Sequence, residues 1–331
     1  MDLTIRRVAA DEPDALRLAW RVVEAAQRAD RPWAVLMTED AVLSAIATAT
    51  SDSPGPELWT ASLDAEVVGA ALVERRASEN AHLAELEINV LPGYRRRGIG
   101  RSLASALFDD LTRTGHTTWL GEVHGQAQDH TSAALDFAHS LGFRTVHEED
   151  HLVLELPAEL PAAPLDPDYD VLTWIDRCPD DLLDAYCVMR TQMNADVPSG
   201  ELDLVPEVRT REQQRRSEER MAASYVTVVA AARRRGDGVL GGYTMMFLPH
   251  GETHVWQDDT LVMPEHRGRG LGGALKAATL GLVQRDHLDR TVIHTWTAPD
   301  NHPMQVVNRT FGFRVVERMH EVQRGGRVHA D

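Results

Sequence analysis

The chain has 331 residues, of which 43% are hydrophobic and 26% are charged, a composition typical of soluble globular proteins and long enough for two domains. Its formal net charge of −17 argues against nucleic acid as the main partner, because binding a phosphate backbone requires a cationic surface. The only cysteines, Cys178 and Cys187, exclude a disulfide framework and a cysteine-rich metal site, so we expect no metal.

The first strand, LTIRRV, leads into an amphipathic helix, DALRLAWRVVEAA. Two tightly joined strands follow in LWTASLDAEVVGAALVERR, and a third strand, AELEINVL, runs into the loop YRRRGIG. A helix, GRSLASALFDDLTRTG, then a strand and a further helix, lead to SLGFRTV. The segment MDLTIRRVAADEPDALRLAW lacks the apolar core of a signal peptide, and no apolar run in the chain reaches membrane-spanning length. We therefore expect a cytoplasmic protein with no membrane partner.

The segment LPAELPAAPLDPD has four prolines within residues 156–168 and no periodicity, which indicates a linker. After it the same order of elements returns, from the strand DVLTWI to the loop HRGRGLG and the closing RTFGFRVV. Arg95 and Gly142 are 47 positions apart, and Arg267 and Gly312 are 45 positions apart. The repeat predicts a tandem duplication, with halves at residues 1–156 and 169–331 joined by residues 157–168.

Both halves place an Arg-x-x-Gly-x-Gly loop between a strand and a helix. Small glycines let the backbone approach a ligand, and the first N–H groups of the helix have no partner within the helix. Such a loop can hold phosphate groups, or it can serve only as a tight strand–helix turn. Its spacing differs from the dinucleotide-binding fingerprint, and no Gly-Lys-Ser/Thr follows as in a nucleoside triphosphate-binding loop.

These motifs resemble those of the GNAT superfamily of acyl-CoA-dependent N-acetyltransferases. The residues that carry the resemblance are NVLPGYRRRGIGRSL with LGF in the first half, and LVMPEHRGRGLGGAL with NHPMQVVNRTFGF in the second. The resemblance implies an α/β fold of two tandem domains, each with a mixed, mostly antiparallel sheet splayed beside the loop. It also implies acetyl-CoA as co-substrate, with its pyrophosphate on the loop amides and its pantetheine arm paired with the preceding strand.

The resemblance assigns cofactor contacts to the end of the third strand and to the loop of each half. In the second half they are Val262, Met263, Arg267, Gly268, Arg269, Gly270, Leu271, Gly272, Gly273 and Asn301. In the first half they are Val90, Leu91, Arg95, Arg96, Arg97, Gly98, Ile99, Gly100 and Arg101.

Family members commonly carry an Asn eleven residues before the Gly of Gly-Phe and a Tyr four residues before it. The second half has Asn301 and Asn308 at these positions, and the first has Thr131 and Ala138. Neither half therefore keeps the Tyr that often protonates the leaving thiolate. Asn308 is a candidate for a cofactor role or for a structural hydrogen bond at the helix end.

An amine with a pKa near 10 must lose a proton before it attacks, so transfer needs a proton acceptor, which the resemblance places on the third strand. By resemblance, an acidic residue stands three positions before the Val, where the halves have Glu87 and Asp259. The second half adds Asp258, with Trp256 and His254 on the same strand face, whereas the first half has Leu86 beside Glu87. We therefore predict Asp258, Asp259, His254 and Asn308 as catalytic candidates, or, for the two carboxylates, plain strand-edge residues.

The predicted activity is transfer of an acetyl group from acetyl-CoA to a primary amine of a small molecule, by direct attack in a ternary complex. The second half is expected to catalyse it, and the first to be a partly degenerate copy that still holds CoA. The alternatives are a non-catalytic acyl-CoA-binding sensor or scaffold, and acetylation of a protein N-terminus or lysine.

Overall fold

A computed structural model describes residues 2–50, 54–77, 80–127, 132–196 and 208–326. These residues form twelve strands and eight α-helices, which confirms the mixed α/β fold. Those of the first half are β1 (Leu3–Arg7), α1 (Pro13–Asp30), α2 (Glu39–Ala47), β2 (Glu57–Leu63), β3 (Glu66–Arg75), β4 (Leu83–Val90), α3 (Ile99–Arg113), β5 (Thr118–Gln126), α4 (Ala133–Ser140) and β6 (Arg144–Glu155).

The second half repeats this order element by element. Its elements are β7 (Tyr169–Ile175), α5 (Leu183–Asp196), α6 (Arg211–Ala222), β8 (Tyr225–Arg234), β9 (Leu240–Pro249), β10 (His254–Val262), α7 (Leu271–Asp286), β11 (Val292–Thr297), α8 (His302–Thr310) and β12 (Arg314–Gly325). No helix of the described residues has the length and apolar character needed to cross a membrane.

The described residues group into two compact units. The first contains residues from 2 to 148 and from 319 to 326, and the second contains residues 149–196 and 208–318. The last strand of each half therefore begins in one unit and ends in the other. The division at residues 157–168 remains a prediction about the repeat in the sequence.

Each unit has a six-stranded arrangement that opens beside its loop. The order is β1-β2-β3-β4-β5-β12 in the first unit and β6-β11-β10-β9-β8-β7 in the second. The pairs β4–β5 and β10–β11 are parallel. Pairing between β10 and β11 ends at Trp256 and His294, although β10 continues to Val262. The two strands separate beyond that point, as the resemblance predicted.

The second unit buries apolar side chains on both faces of its sheet. Tyr186 and Met189 of α5 pack with Tyr243 and Met245 of β9 on one face. Val255 and Ile293 face the other side, where they pack with α7 and α8. The α5 side thus receives the side chains that alternate with Val255 and Ile293 along β10 and β11.

Both loops end at a glycine with a positive φ that begins a helix. Gly98 has φ 85° and Gly270 has φ 75°, in the left-handed region that L-residues with a side chain adopt at a cost. Each glycine is the N-cap residue of its helix, so the first helical N–H groups lie at the loop.

Candidate active site

A β-bulge in β10 lies just beyond the point where β10 and β11 separate. The register between β10 and β9 shifts between Gln257 and Thr260, so Asp258 and Asp259 occupy the irregular stretch. The Gln257 side-chain amide fixes one end of it, donating to the Thr244 hydroxyl at 3.0 Å and to the Met245 carbonyl at 2.9 Å. The bulge therefore sets the directions of the two carboxylates.

Asp259 is held by two donors on the α5 side of the sheet. Arg190 Nη1 of α5 lies 2.6 Å from Asp259 Oδ2, and the Tyr243 hydroxyl donates to the same oxygen at 2.7 Å. The Arg190 and Asp259 side chains are only 15% and 17% exposed, and the Arg190 guanidinium also lies 5.8 Å from the centre of the Tyr243 ring. Asp259 is thus anchored in an ion pair.

Asp258, its neighbour, is exposed. Its backbone carbonyl accepts from the Gln257 amide at 3.4 Å and its carboxylate accepts from the Asp259 N–H, but no side chain of the described residues is seen to donate to that carboxylate. Loss of hydration among the surrounding protein atoms, followed by the charge of Asp259, raises the pKa of Asp258 to about 7, and Arg190 opposes this shift. Because Asp258 keeps solvent contact, water screens part of this effect; both causes act in the upward direction. A carboxyl with a pKa near neutrality suits proton transfer at physiological pH.

His254 and its neighbours form an aromatic row on β10 and β11. His254 and Trp256 have ring centres 6.1 Å apart, and His254 and His294 have ring centres 5.9 Å apart. His294 Nδ1 lies 2.9 Å from His151 Nε2, and His151 Nδ1 lies 3.1 Å from a Glu317 oxygen. Burial first, then His151 and His254, lower the pKa of His294 to about 3. His294 is therefore a neutral, packed side chain and a poor proton acceptor.

Asn308 lies in a buried polar network on the α7 and α8 side of the sheet. It is 0% exposed, accepts a hydrogen bond from Lys276 Nζ at 3.0 Å, and donates to the Thr297 hydroxyl at 3.0 Å. Burial lowers the pKa of Lys276 to about 7. The side chain of Asn301 caps α8 by accepting from the Met304 N–H at 3.3 Å.

The first arginine of each loop is engaged in the same way. Arg95 donates to the Val90 carbonyl at 3.0 Å and pairs with Asp30 at 2.6 Å. Arg267 donates to the Val262 carbonyl at 3.1 Å and pairs with Asp196 at 3.1 Å. Both arginines fasten their loop to the preceding strand and to the end of a helix.

The linker of residues 157–168 runs along α7 to the second loop. Asp166 pairs with Arg269 at 3.0 Å, and its N–H donates to the Arg269 carbonyl at 3.3 Å. A Cβ on Gly270 would lie 2.3 Å from the Pro164 carbonyl oxygen, whereas nothing lies within 4 Å of one on Gly98. The two loops therefore differ in their surroundings.

The first half has no carboxylate at the position of Asp258, although burial and the charge of Glu85 raise the pKa of Glu74 on the neighbouring strand. Glu87 accepts from the Gln27 and Asn89 side-chain amides at 2.5 and 2.7 Å, and Leu86, at the position of Asp258, is buried. Thr131, the counterpart of Asn301, lies outside the described residues.

A cavity of about 230 Å³ lies between α5, α6 and strands β7 to β9 in the second unit. Its walls include Trp174, Ser217, Met245 and Phe247. Arg190 also lines it, which joins the cavity wall to the partner of Asp259. Among the described residues no group of three or more His, Cys, Asp or Glu side chains is placed to hold a metal ion.

Several of these features carry no signal in the sequence. The Arg190–Asp259 pair joins residues of α5 and β10 that are 69 positions apart, and the His151–His294 contact joins residues 143 positions apart. The family resemblance pointed to Asp259 and so to the adjacent Asp258, but neither of these contacts follows from a local pattern.

Comparison with known proteins identifies the family and the fold. The model of the acetyltransferase (GNAT) family matches residues 20–143 and 193–313. A mycothiol acetyltransferase of Salinispora arenicola (strain CNS-205) is 31% identical over 247 residues, which cover 73% of each chain. A mycothiol acetyltransferase of Rhodococcus erythropolis (strain PR4 / NBRC 100887) is 39% identical over 98 residues, 30% of this chain and 29% of that protein.

Two solved structures cover nearly the whole chain. A tandem GNAT protein from the clavulanic acid biosynthesis pathway is 25% identical, with a TM-score of 0.78 and coverage of 98% of both chains. A GCN5-related N-acetyltransferase from Sphaerobacter thermophilus is 18% identical with a TM-score of 0.72, covering 99% of this chain and 97% of that one. The second likeness concerns the fold alone.

Proposed function

Since the chain belongs to the GNAT acetyltransferase family, we propose that its second half transfers an acetyl group from acetyl-CoA to a primary amine of a small molecule. The observation that carries this proposal is the placement of Asp258 at the β10 bulge, beside the separated strands and next to an anchored carboxylate. Acetyl-CoA, when bound, supplies the activated acyl group.

Both loops can present N–H groups to a phosphate, and two glycines of the second loop lie in open space although Gly270 faces the Pro164 carbonyl. Each begins a helix at a glycine, so unpaired N–H groups and the positive end of the helix dipole lie together. A Cβ on Gly268 would have nothing within 4 Å, and one on Gly272 would meet only Val262 Cγ2 at 3.9 Å. These open positions fit the loop residues to the pyrophosphate of the co-substrate.

In the proposed reaction Asp258 accepts the proton that the acceptor ammonium must lose. An exposed carboxylate with a raised pKa is still ionised in part at pH 7, and it is a stronger base than an ordinary aspartate. The amine nitrogen then forms its bond to the acetyl carbon as the bond from that carbon to sulfur breaks, and the second proton lost by the nitrogen passes to the sulfur, so that CoA leaves as the thiol.

Direct transfer is favoured over an acyl-enzyme because the cysteines are unsuited to attack. Cys178 and Cys187 are buried in the core beside α5. Burial raises the pKa of Cys178 to about 12, so almost none of it is thiolate at neutral pH.

We place the body of the acceptor in the cavity between α5, α6 and strands β7 to β9. Arg190 lines the cavity and bonds Asp259, so a molecule bound there lies close to the carboxylate pair. The mixture of Trp174, Met245 and Phe247 with polar groups suits a small molecule that has both apolar and polar parts. The names of the two relatives make a mycothiol-related amine the first compound to test.

The first half is proposed to bind CoA without catalysing transfer. Its loop matches the second, and its surroundings leave Gly98 open. Leu86 replaces Asp258, and Glu87 is engaged by two side-chain amides, so no free proton acceptor stands at that position. The site of the first half would then act as a non-catalytic CoA-binding sensor or scaffold.

Release of free CoA from acetyl-CoA across a panel of small amines and N-terminal peptides tests the proposal. We expect turnover with a small amine, a fall in kcat/KM as the pH drops below about 7, and a loss of roughly 10²–10⁴-fold in Asp258→Asn. Asp181→Asn, an exposed aspartate of the same half, is the matched control and should retain activity. Tight acetyl-CoA binding without turnover on any acceptor would support the sensor instead.

A further inference from the structure

The two adjacent carboxylates of β10 have opposite surroundings. Asp259 Oδ2 receives both Arg190 and Tyr243, and its side chain is 17% exposed. Asp258 is exposed, and no side chain of the described residues is seen to donate to its carboxylate. All the neutralising contacts from side chains thus go to one member of the pair.

We propose that Arg190 and Tyr243 are positioning residues that fix Asp259 as the anchored carboxylate and so leave Asp258 as the proton acceptor of the reaction. This inference rests on the proposed function. Arg190 does not touch the acceptor's reacting nitrogen in this account; it acts through Asp259 and through its charge.

The geometry supports more than a packing role for Arg190. Its guanidinium lies between Asp259 Oδ2 and Met245 Sδ, each 2.6 Å from Nη1, and over the Tyr243 ring. Tyr186 and Tyr243 pack edge to face with ring centres 5.2 Å apart and enclose this side of the pair. An arginine so enclosed would be costly without its carboxylate, so the two groups hold each other in place.

The charged and titratable groups around Asp258 come from four elements. Asp259 and His254 share its strand, Arg190 faces it from α5, Tyr243 from β9, and His294 lies on β11. Asp259 disfavours the ionised form of Asp258 and Arg190 favours it, while His294 is neutral because its pKa is lowered to about 3. Loss of hydration is the largest cause of the raised pKa of Asp258, and the charges of Asp259 and Arg190 then shift that pKa in opposite directions.

The first half supplies an internal comparison. Glu87 occupies the position of Asp259, but its hydrogen-bond partners are the neutral amides of Gln27 and Asn89, and the residue before it in the sequence is Leu86. Arg31 lies close by and contacts the Gln27 side-chain oxygen at 2.5 Å, whereas Arg190 contacts its carboxylate directly in the half that has two adjacent carboxylates. This difference is expected if Arg190 is needed to hold one of two adjacent carboxylates and not to stabilise the third strand itself.

Two measurements on the full-length protein test the inference. The first is a ¹³C NMR titration of the Asp258 carboxyl without substrate, assigned with Asp258→Asn. The second is the pH dependence of kcat/KM. Arg190→Met should raise the pKa of Asp258 and move the acid limb of the profile to higher pH, with activity reduced roughly tenfold at pH 6.5 and recovered at pH 9, as a shift of about one unit requires.

Three further variants sharpen the test. Asp259→Asn should lower the pKa of Asp258 and move the acid limb of the kcat/KM profile to lower pH. Arg190→Lys should return both values most of the way to those of the wild type. Tyr243→Phe removes a single hydroxyl and should give a smaller upward shift, so it decides the matter if Arg190→Met does not fold.

An unmoved Asp258 titration in the Arg190 and Tyr243 variants, with activity lowered equally at every pH, would overturn the inference and leave a purely structural role. Failure of the proposed function has a different signature, which is absence of amine turnover or full activity in Asp258→Asn. The NMR titration needs no turnover, so it decides the inference in either case.

Discussion

Lys276 is the only lysine in the sequence, and it is 3% exposed. Its Nζ bonds Asn308 at 3.0 Å and lies 5.6 Å from the centre of the Phe313 ring. The matching residue of the first half is Ala104, which is 0% exposed. A titratable group thus occupies a position that the other copy fills with a methyl group, and burial lowers its pKa to about 7.

This burial predicts a pH-dependent stability. Below about pH 7 Lys276 is protonated in both the folded and the unfolded state, and the cost of burying the charge is fully present. Between pH 7 and its unfolded pKa of about 10.4 the unfolded state binds more protons, so the free energy of unfolding should rise with pH. The slope contributed by this group approaches about 1.4 kcal/mol per pH unit.

Urea unfolding of the wild type and of Lys276→Met from pH 7 to 10 measures this contribution as the difference between their slopes. The variant also removes the Lys276 partner of the Asn308 side-chain oxygen, which costs about 1–3 kcal/mol at every pH. The slope of stability against pH, and not the absolute stability, is therefore diagnostic. Parallel slopes would show that Lys276 stays charged in the folded protein or that water reaches it.

At the scale of single residues, the sequence predicted which positions differ between the halves. The repeat matched Asp258 with Leu86, and alternation along the strand put Trp256 and His254 on the same face as Asp258. The same alternation says nothing of Arg190, since its contact with Asp259 depends on how α5 packs on the sheet. The bulge between Gln257 and Thr260 also has no local signature, and it determines where Asp258 points.

At the scale of elements, α6 forms one wall of the proposed acceptor cavity. Ser217 lines the cavity, and Glu219 on the same helix is exposed. Ser217→Phe should fill part of the roughly 230 Å³ and raise the KM for the amine by about tenfold or more, with little change in the KM for acetyl-CoA.

Glu219→Phe is the matched control, because it adds the same ring on the solvent side of α6. Steady-state kinetics with each substrate varied in turn separates the two effects. Equal KM values for the amine in wild type and Ser217→Phe would place the acceptor elsewhere.

The order of elements could be predicted because each depends on local pattern. Helical spacing and the glycine that begins α3 and α7 give the same strand–loop–helix unit in both halves. The separation of β10 from β11 followed from the family resemblance. The contact of the linker with the second loop did not, because Pro164 and Gly270 are far apart in the sequence and share no motif.

At the scale of the whole molecule, the last strands of the two halves are exchanged in part between the compact units. Residues 150–155 of β6 pair with β11 of the second half, and residues from Met319 of β12 belong to the first unit. Both strands follow a Gly-Phe dipeptide and have similar alternation, so the sequence offers no basis for deciding which neighbour each would choose.

The division of labour between the halves is the central claim, and one position in the two loops tests it under equal conditions. Arg96 and Gly268 occupy the same place in the motif, with φ 63° and 76°. A Cβ on Gly268 would have nothing within 4 Å, whereas one on Gly270 would lie 2.3 Å from the Pro164 carbonyl oxygen. Glu at either position adds a negative charge beside the proposed pyrophosphate site, and Gln supplies a neutral side chain of equal length with the same backbone demand.

The decisive measurement is therefore the acetyl-transfer rate of Gly268→Glu relative to Gly268→Gln, compared with that of Arg96→Glu relative to Arg96→Gln, together with CoA bound per chain. We predict that the charge at residue 268 lowers the rate by roughly 10–100-fold, because like charges at close range repel by several kcal/mol near a protein surface. The charge at residue 96 should reduce bound CoA and leave the rate within about twofold. Loss of the rate at residue 96 with retention at residue 268 would contradict the account and assign catalysis to the first half.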